Sequence, residues 1–147
     1  MSCTLCRPTK NVIHRGKFWT VVLNDDQGYL GRSYFALNRH ETDVTKIEPA
    51  ELAELWQLFA IVKASIDRLF QPDHYNYVFL MNVEAHLHGH IIPRYRDNRV
   101  FHDLTFTDGA LGRHYDLANV LMLPESAMAK ITAELQSAMD AEIGTAQ

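Results

Sequence analysis

Residues 84–95 read EAHLHGHIIPRY and set His86, His88 and His90 at strictly alternate positions, three of the 8 histidines in a chain of 147 residues. On an extended segment successive side chains point to opposite faces. The three imidazoles would then share one side while Leu87, Gly89 and Ile91 take the other. Neighbours on that side stand roughly 6.5–7 Å apart at the backbone, from a rise of about 3.3 Å per residue. Hydrophobic burial gives no reason for such a trio, but two chemistries do. Neutral imidazole is a good zinc ligand, and His-x-His pairs on strands can chelate. Neutral imidazole is also the majority form above a pKa of about 6.5, and it can attack phosphorus to give a phosphoramidate that water later opens. Residue types alone leave both open.

Side chains of this kind need a scaffold. KFWTVVLN (17–24) is rich in β-branched and aromatic residues and runs into Asp-Asp-Gln-Gly, which predicts a strand and then a turn. RSYFALN (32–38) predicts a second strand, antiparallel to the first because the link is short. Residues 49–70 form the clearest element, with Leu52, Leu55, Trp56, Phe59, Val62, Ile66 and Leu69 recurring at steps of three and four as the apolar stripe of a helix. Pro49 suits its first position and QPD after Phe70 ends it. NYVFLMNV (76–83) is a continuous apolar run that predicts a strand buried on both faces, and a tight turn leads to a further strand over His86–Ile92. Residues 93–119 have no clear period, so they read as loop or weakly extended chain. A last helix is expected over 123–139, with Met128, Ile131, Leu135 and Met139 on one face. The order β-β-α-β-β-α predicts one α+β domain over 1–147, an antiparallel sheet with a long central helix and a C-terminal helix packed on it.

Composition narrows the partners. The chain is 47 % hydrophobic and 22 % charged, with no apolar run near the roughly 20 residues of a membrane helix. The polar start MSCTLCRPTK has no apolar signal core, so a cytoplasmic location is expected. A net charge of −4 argues against a nucleic-acid duplex as partner but allows a mononucleotide-sized ligand. The two cysteines, Cys3 and Cys6, form a Cys-x-x-Cys pair, which without export points to metal or redox chemistry before a structural disulfide. No thioredoxin-like βαβ context accompanies them.

HLHGHIIPRY fits His-φ-His-φ-His-φ-φ, with φ apolar, and so resembles the histidine triad superfamily of nucleotide hydrolases and transferases. CTLC is similar to the start of its zinc-bearing members, and GRSYFALNRHETDV to its strand ending in a basic residue and His before the long helix. The resemblance covers most of residues 3–95. It implies that His88 attacks the α-phosphorus of a nucleotide and becomes a nucleotidyl-histidine, with His90 on the phosphate. It also places Asn24 at the ribose and Asn82 where many members carry a Gln near the transferring phosphate. It further implies a homodimer and a structural zinc held by Cys3, Cys6, His40 and His86, with no catalytic metal. His14 is a possible substitute ligand, while His74, His102 and His114 read as loop residues.

Two departures bear on activity. Where many members have a Gly-His pair at the strand start, GRS supplies Arg32, which can anchor phosphate with a fixed fork of donors but cannot relay protons. The glycine-rich loop before the triad is replaced by NVEA. Arg94 is a further candidate for meeting phosphate charge. The alternatives are a nucleotide-binding protein without useful catalysis and a catalytic metal centre made from all three histidines.

Overall fold

The computed structural model describes residues 3–146. Seven strands and two long helices follow in the order β1 (Val12–Arg15), β2 (Trp19–Leu23), β3 (Ser33–Leu37), α1 (Pro49–Phe70), β4 (His74–Val78), β5 (His88–Arg94), β6 (Arg99–Phe101), β7 (Leu104–Phe106) and α2 (Glu125–Thr145). The first five strands form one antiparallel sheet in the order β1-β2-β3-β5-β4, and β6-β7 is a separate hairpin. The α+β class with a long central and a C-terminal helix is what the patterning predicts. Among the described residues no helix is long and apolar enough to cross a membrane.

Alternation divides the five-stranded sheet into two faces. Trp19, Val21, Leu23, Phe35, Leu37 and Ile91 join Leu55, Phe59, Val62 and Ile66 of α1 and Ile131, Leu135 and Met139 of α2 in one core. Each fully buried side chain of this size contributes about 1.5–3 kcal/mol. Gly89 belongs to the same face, and a Cβ there would stand 2.5 Å from the Phe79 ring. The small residue inside the triad segment is therefore a packing requirement.

Helix α1 starts where Pro49 sets the first turn and Glu51 accepts the Glu48 amide. Arg39 at the exit of β3 grips Glu51 with two hydrogen bonds of 2.6 and 3.0 Å and reaches Glu41 at 3.2 Å. The chain between them, including His40, is pinned at both ends.

Several expected boundaries move. The strand expected over 76–83 is β4 at 74–78, and it lies at the sheet edge instead of being buried on both faces. Residues 79–87 are irregular, so the triad strand begins at His88 and His86 precedes it. Leu52 and Trp56, expected on the buried stripe of α1, are exposed, Trp56 by 61 %. Strand β1 was not expected. It has four residues, is half-buried and is bulged between Val12 and His14, too short for a period to show. The β6-β7 hairpin, inside a stretch expected to be irregular, turns through His102 and Asp103 at positive φ, and His74 lies in β4 instead of a loop.

On the face opposite the helices, residues 107–122 cover part of the sheet, and Tyr29, Ile92 and Tyr115 form a small second core. Arg94 is spent here. Its side chain is 1 % exposed, with Nε donating to Asp108 Oδ2 at 2.7 Å and Nη2 to Oδ1 at 3.1 Å. Further bonds run to Asn76 and the Arg113 carbonyl. Arg94 thus holds the tail on the sheet and is not free to meet phosphate. Burial works to raise the Asp108 pKa, but the Arg94 fork and the amides of Ala110 and Tyr95 hold it below the usual carboxylate range.

Removing one partner strands the other charge in the interior, which costs about 3–5 kcal/mol. Asp108→Asn is expected to lower the urea-unfolding free energy by about that amount. Because the folded-state pKa is depressed, the wild-type advantage should be complete above the ordinary carboxylate range and vanish as pH falls through the lowered value. Equal stability of the two proteins at neutral pH would contradict this account.

Candidate active site and metal centre

The open face of the sheet can be read off the pairing. Tyr34 lies opposite both Val22 and His90, and His90 lies opposite Val78. One rung along, Ala36 faces both Thr20 and His88. In the other direction the Asn24 amide donates to the Arg32 carbonyl at 3.0 Å, so Arg32 extends β3 by one residue on the side of Tyr34 and His90. His88, His90, Tyr34, Arg32 and Asn24 therefore come from three neighbouring strand ends and share one face.

The triad histidines do not share one environment. His86, one turn of chain before β5, is fully buried, and its Nε2 donates to the Leu37 carbonyl at 2.7 Å. A carbonyl only accepts, so the proton is on Nε2 and the Nδ1 lone pair is free. That Nδ1 lies 3.3 Å from Cys3 Sγ, 3.6 Å from Cys6 Sγ and 3.3 Å from His40 Nδ1. Cys6 Sγ is 3.6 Å from His40 Nδ1. All four ligand atoms lie within 4.8 Å of one another. Edges of roughly 3.3–3.8 Å belong to a tetrahedron with metal–sulfur bonds of about 2.3 Å and metal–nitrogen bonds of about 2.0 Å. The second ring nitrogen bound to a backbone carbonyl is the usual way a ligating histidine is oriented. The donor set and its surroundings thus fit zinc. Burial lowers the His86 pKa, which favours the neutral form that can ligate, and burial with the neighbouring Cys3 raises that of Cys6. His14, on β1, pairs with Val21 of β2 and takes no part in the cluster.

His88 is outside this cluster. Its Nδ1 donates to the His86 carbonyl at 2.7 Å, which fixes the tautomer of the neutral ring with its lone pair on Nε2. The ring stands edge-on to His90, centroids 5.1 Å apart, and Tyr34 packs against both at 6.4 and 6.1 Å. His90 is mostly buried, and its Nδ1 has no partner among the described residues. Burial, then the positive charge of Arg32 and the proximity of His88, push the His90 pKa down to about 4. Arg32 carries a second unpartnered buried atom, Nε, while its Nη1 meets Asp26 Oδ2 at 3.3 Å. These two buried polar atoms, one on the ring next to His88 and one on Arg32 two residues along β3 from Tyr34, call for a partner from outside the protein, a ligand or ordered water.

Next to Tyr34 opens a cavity of about 400 Å³. Val22, Leu23, Asn24 and Asp25 form its floor, and Thr4, Leu5 and residues 7–10 its wall. Asn24 is at once a turn former, its Oδ1 accepting the Asp26 amide at 2.9 Å, and a cavity residue. Asn82 stands exposed on the bend before β5, away from the cavity lining, and nothing in the geometry assigns it a role. Tyr34 and Asp26 were missed by motif reading. The period-two relation of Tyr34 to Arg32 is the signal that finds the tyrosine, and only the folded loop brings Asp26 to Arg32.

A five-stranded antiparallel sheet with two helices on one face and a histidine pair on the other defines a histidine-triad fold. The HIT domain family model matches residues 19–97, and the chain belongs to this family. No curated protein matches it in sequence. Solved structures share the fold at low identity. A hypothetical histidine triad nucleotide-binding protein from Sulfolobus tokodaii superposes with TM-score 0.74 at 16 % identity, over 95 % of this chain and 93 % of that one. A zinc-bound histidine triad family protein from Mycobacterium smegmatis gives 0.68 at 17 %, over 100 % and 99 %. A diadenosine triphosphate hydrolase from Plasmodium falciparum, in complex with cyclomarin A, gives 0.66 at 14 %, over 92 % and 80 %.

A depressed pKa means that His90 resists protonation in the folded protein. NMR titration of its ring should show a midpoint near 4, and the fold should lose stability as pH falls from about 6.5 toward that value, since the unfolded chain takes up the proton first. A His90 midpoint at the ordinary value would show the ring to be solvated.

Proposed function

We propose that the protein is a nucleotidyl hydrolase or transferase acting at the α-phosphorus of a nucleotide through a covalent intermediate on His88. The observation that carries this reading is the His88 ring itself. Its Nδ1 is tied to the His86 carbonyl, its Nε2 faces no protein partner, and the unpartnered Nδ1 of His90 belongs to the neighbouring ring on a face that continues past Tyr34 to a nucleoside-sized cavity. Attack by Nε2 transfers the nucleotidyl group to the ring, and water then opens the phosphorus–nitrogen bond. His90, neutral at physiological pH, serves as a hydrogen-bonding group to the phosphate, and the cavity at Asn24 takes the ribose and base. Substrates are (di)nucleotides with a phosphoanhydride or phosphoramidate bond. In support, one structural neighbour is a diadenosine triphosphate hydrolase.

Zinc at Cys3, Cys6, His40 and His86 is the second part of the proposal. Four protein ligands close the coordination sphere, so the metal supplies structure, with no open position for water. Thr4 and Leu5 are the two residues between the cysteines and line the cavity, so the site also holds that wall in place. A homodimer is the third part. Strand β4 leaves a free sheet edge, and next to it Trp56, Tyr77 and Leu80 expose 61 %, 45 % and 47 % of their surface. A cytoplasmic location agrees with this substrate class.

His88→Ala is expected to remove turnover of diadenosine triphosphate and of an adenosine phosphoramidate by at least about a thousandfold, with an unchanged circular dichroism spectrum. Brief mixing of wild type with a slow substrate should add one nucleotidyl mass, absent in the variant. Binding without any such adduct would favour a nucleotide-binding protein instead. Elemental analysis should give one zinc per chain, lost in Cys3→Ser and His86→Asn but kept in His88→Ala; zinc loss in His88→Ala would instead indicate a centre built from the triad. Trp56→Glu should shift the protein toward monomer in sedimentation, whereas a monomeric wild type would remove the dimer.

A further inference from the structure

We propose that Tyr34 is the positioning residue of this site, its ring setting the pitch of the His88 and His90 imidazoles and carrying contact from the nucleoside cavity to them. The inference rests on the reading of His88 as nucleophile and adds the side chain that aims it.

Strand register puts four side chains on two adjacent rungs of the open face, Tyr34 opposite His90 and Ala36 opposite His88. Directly across the ladder His88 therefore meets only a methyl group, too short to hold a ring. Tyr34 is its diagonal neighbour, and an aromatic side chain is long enough to span that diagonal. The Tyr34 centroid stands 6.4 Å from His88 at 80° and 6.1 Å from His90 at 55°, while the two imidazoles meet at 5.1 Å and 75°. All three pairs lie in the range of tilted or edge-on aromatic contact. Hydrogen bonds contribute little to this arrangement. Among the described residues His90 has none from its ring, and His88 has one, from Nδ1 to the His86 carbonyl. A single bond at Nδ1 leaves a hinge about which Nε2 can swing, and packing against Tyr34 and His90 narrows that arc.

Tyr34 is also where cavity and triad meet. It lines the cavity together with Val22, its partner on β2, whereas neither His88 nor His90 is among the lining residues. A nucleoside seated there touches a ring against which both imidazoles pack. Burial, then the charge of Asp25, pushes the Tyr34 hydroxyl up to about 12, so the phenol stays neutral at physiological pH. Tyr34 therefore acts through its ring and adds no base to the site. Aim matters for the attack on phosphorus, because a misplacement of about 1 Å can cost roughly a hundredfold in rate.

Kinetics with diadenosine triphosphate test the aim. Tyr34→Ala should lower kcat by about 10–100-fold, and Tyr34→Phe, which keeps the ring, should recover it to within about threefold of wild type. A wild-type kcat in Tyr34→Ala, or equal losses in both variants, would overturn the proposal. NMR of isotope-labelled histidine rings needs no turnover and reads their pitch directly. In Tyr34→Ala the His90 midpoint should climb from near 4 toward the ordinary value, and His88 should show both tautomers in place of one. Tyr34→Phe should keep the wild-type pattern. Adenosine, which has no phosphorus to transfer, should shift both ring signals in wild type and Tyr34→Phe and leave them unmoved in Tyr34→Ala. No adenosine response in wild type, or identical ring signals in all three proteins, would overturn the proposal whatever the turnover. A wild type without turnover but with these ring responses would sink the nucleophile and leave Tyr34 its positioning role.

Discussion

The pairing of β3 with β5 is the constraint on which the rest depends. Four consecutive rungs, from Ser33 opposite Ile91 to Ala36 opposite His88, fix the register in the middle of the sheet. A slip of one residue would turn His88 and His90 into the apolar core and Ile91 out of it. The core forbids that slip, since Phe35, Leu87 and Ile91 are fully buried beneath α1 and α2. Hydrophobic packing on one face thus sets the aim of the imidazoles on the other. Pro93 sits beyond the last β3 partner, where β5 has lost one neighbour and a missing amide costs little.

A division of labour among the histidines follows from where the strand starts. His86 lies just outside β5, so its side chain is not bound to alternate and turns into the interior toward Cys3, Cys6 and His40. The same residue offers its carbonyl to His88 Nδ1 and so fixes which nitrogen of the second ring carries the proton. One backbone group therefore links the Cys3, Cys6, His40 and His86 cluster to the orientation of the His88 ring. Any zinc bound there would act on the chemistry through this positional link.

Charge in the site is spare and local. Arg94 looked available from its place just after the triad, but the interior uses it to hold the tail through Asp108. Arg32, an apparent departure from the family pattern, is the cation left on the open face near His90. With His90 neutral and Arg32 permanently charged, the open face carries one fixed positive group beside hydrogen-bonding rings. This is a cheaper arrangement than burying several charged histidines together.

The sequence by itself determined the class of fold, the long helix, the alternation that joins His88 to His90, and the four side chains of the metal cluster through their resemblance to a known pattern. Those features are periodic or carried by rare residue types at fixed spacing, and such signals survive without knowledge of what packs against what. Tertiary structure decided the rest. It placed β4 at an edge although its sequence looks buried, exposed Trp56 on an otherwise apolar stripe, and took His86 out of the strand. It also consumed Arg94, left Arg32 with unmet donors, and brought Asp26 and Tyr34 to the site. The reason is common to all of these: burial and pairing depend on which distant segment arrives, and no local pattern of residues encodes that arrival.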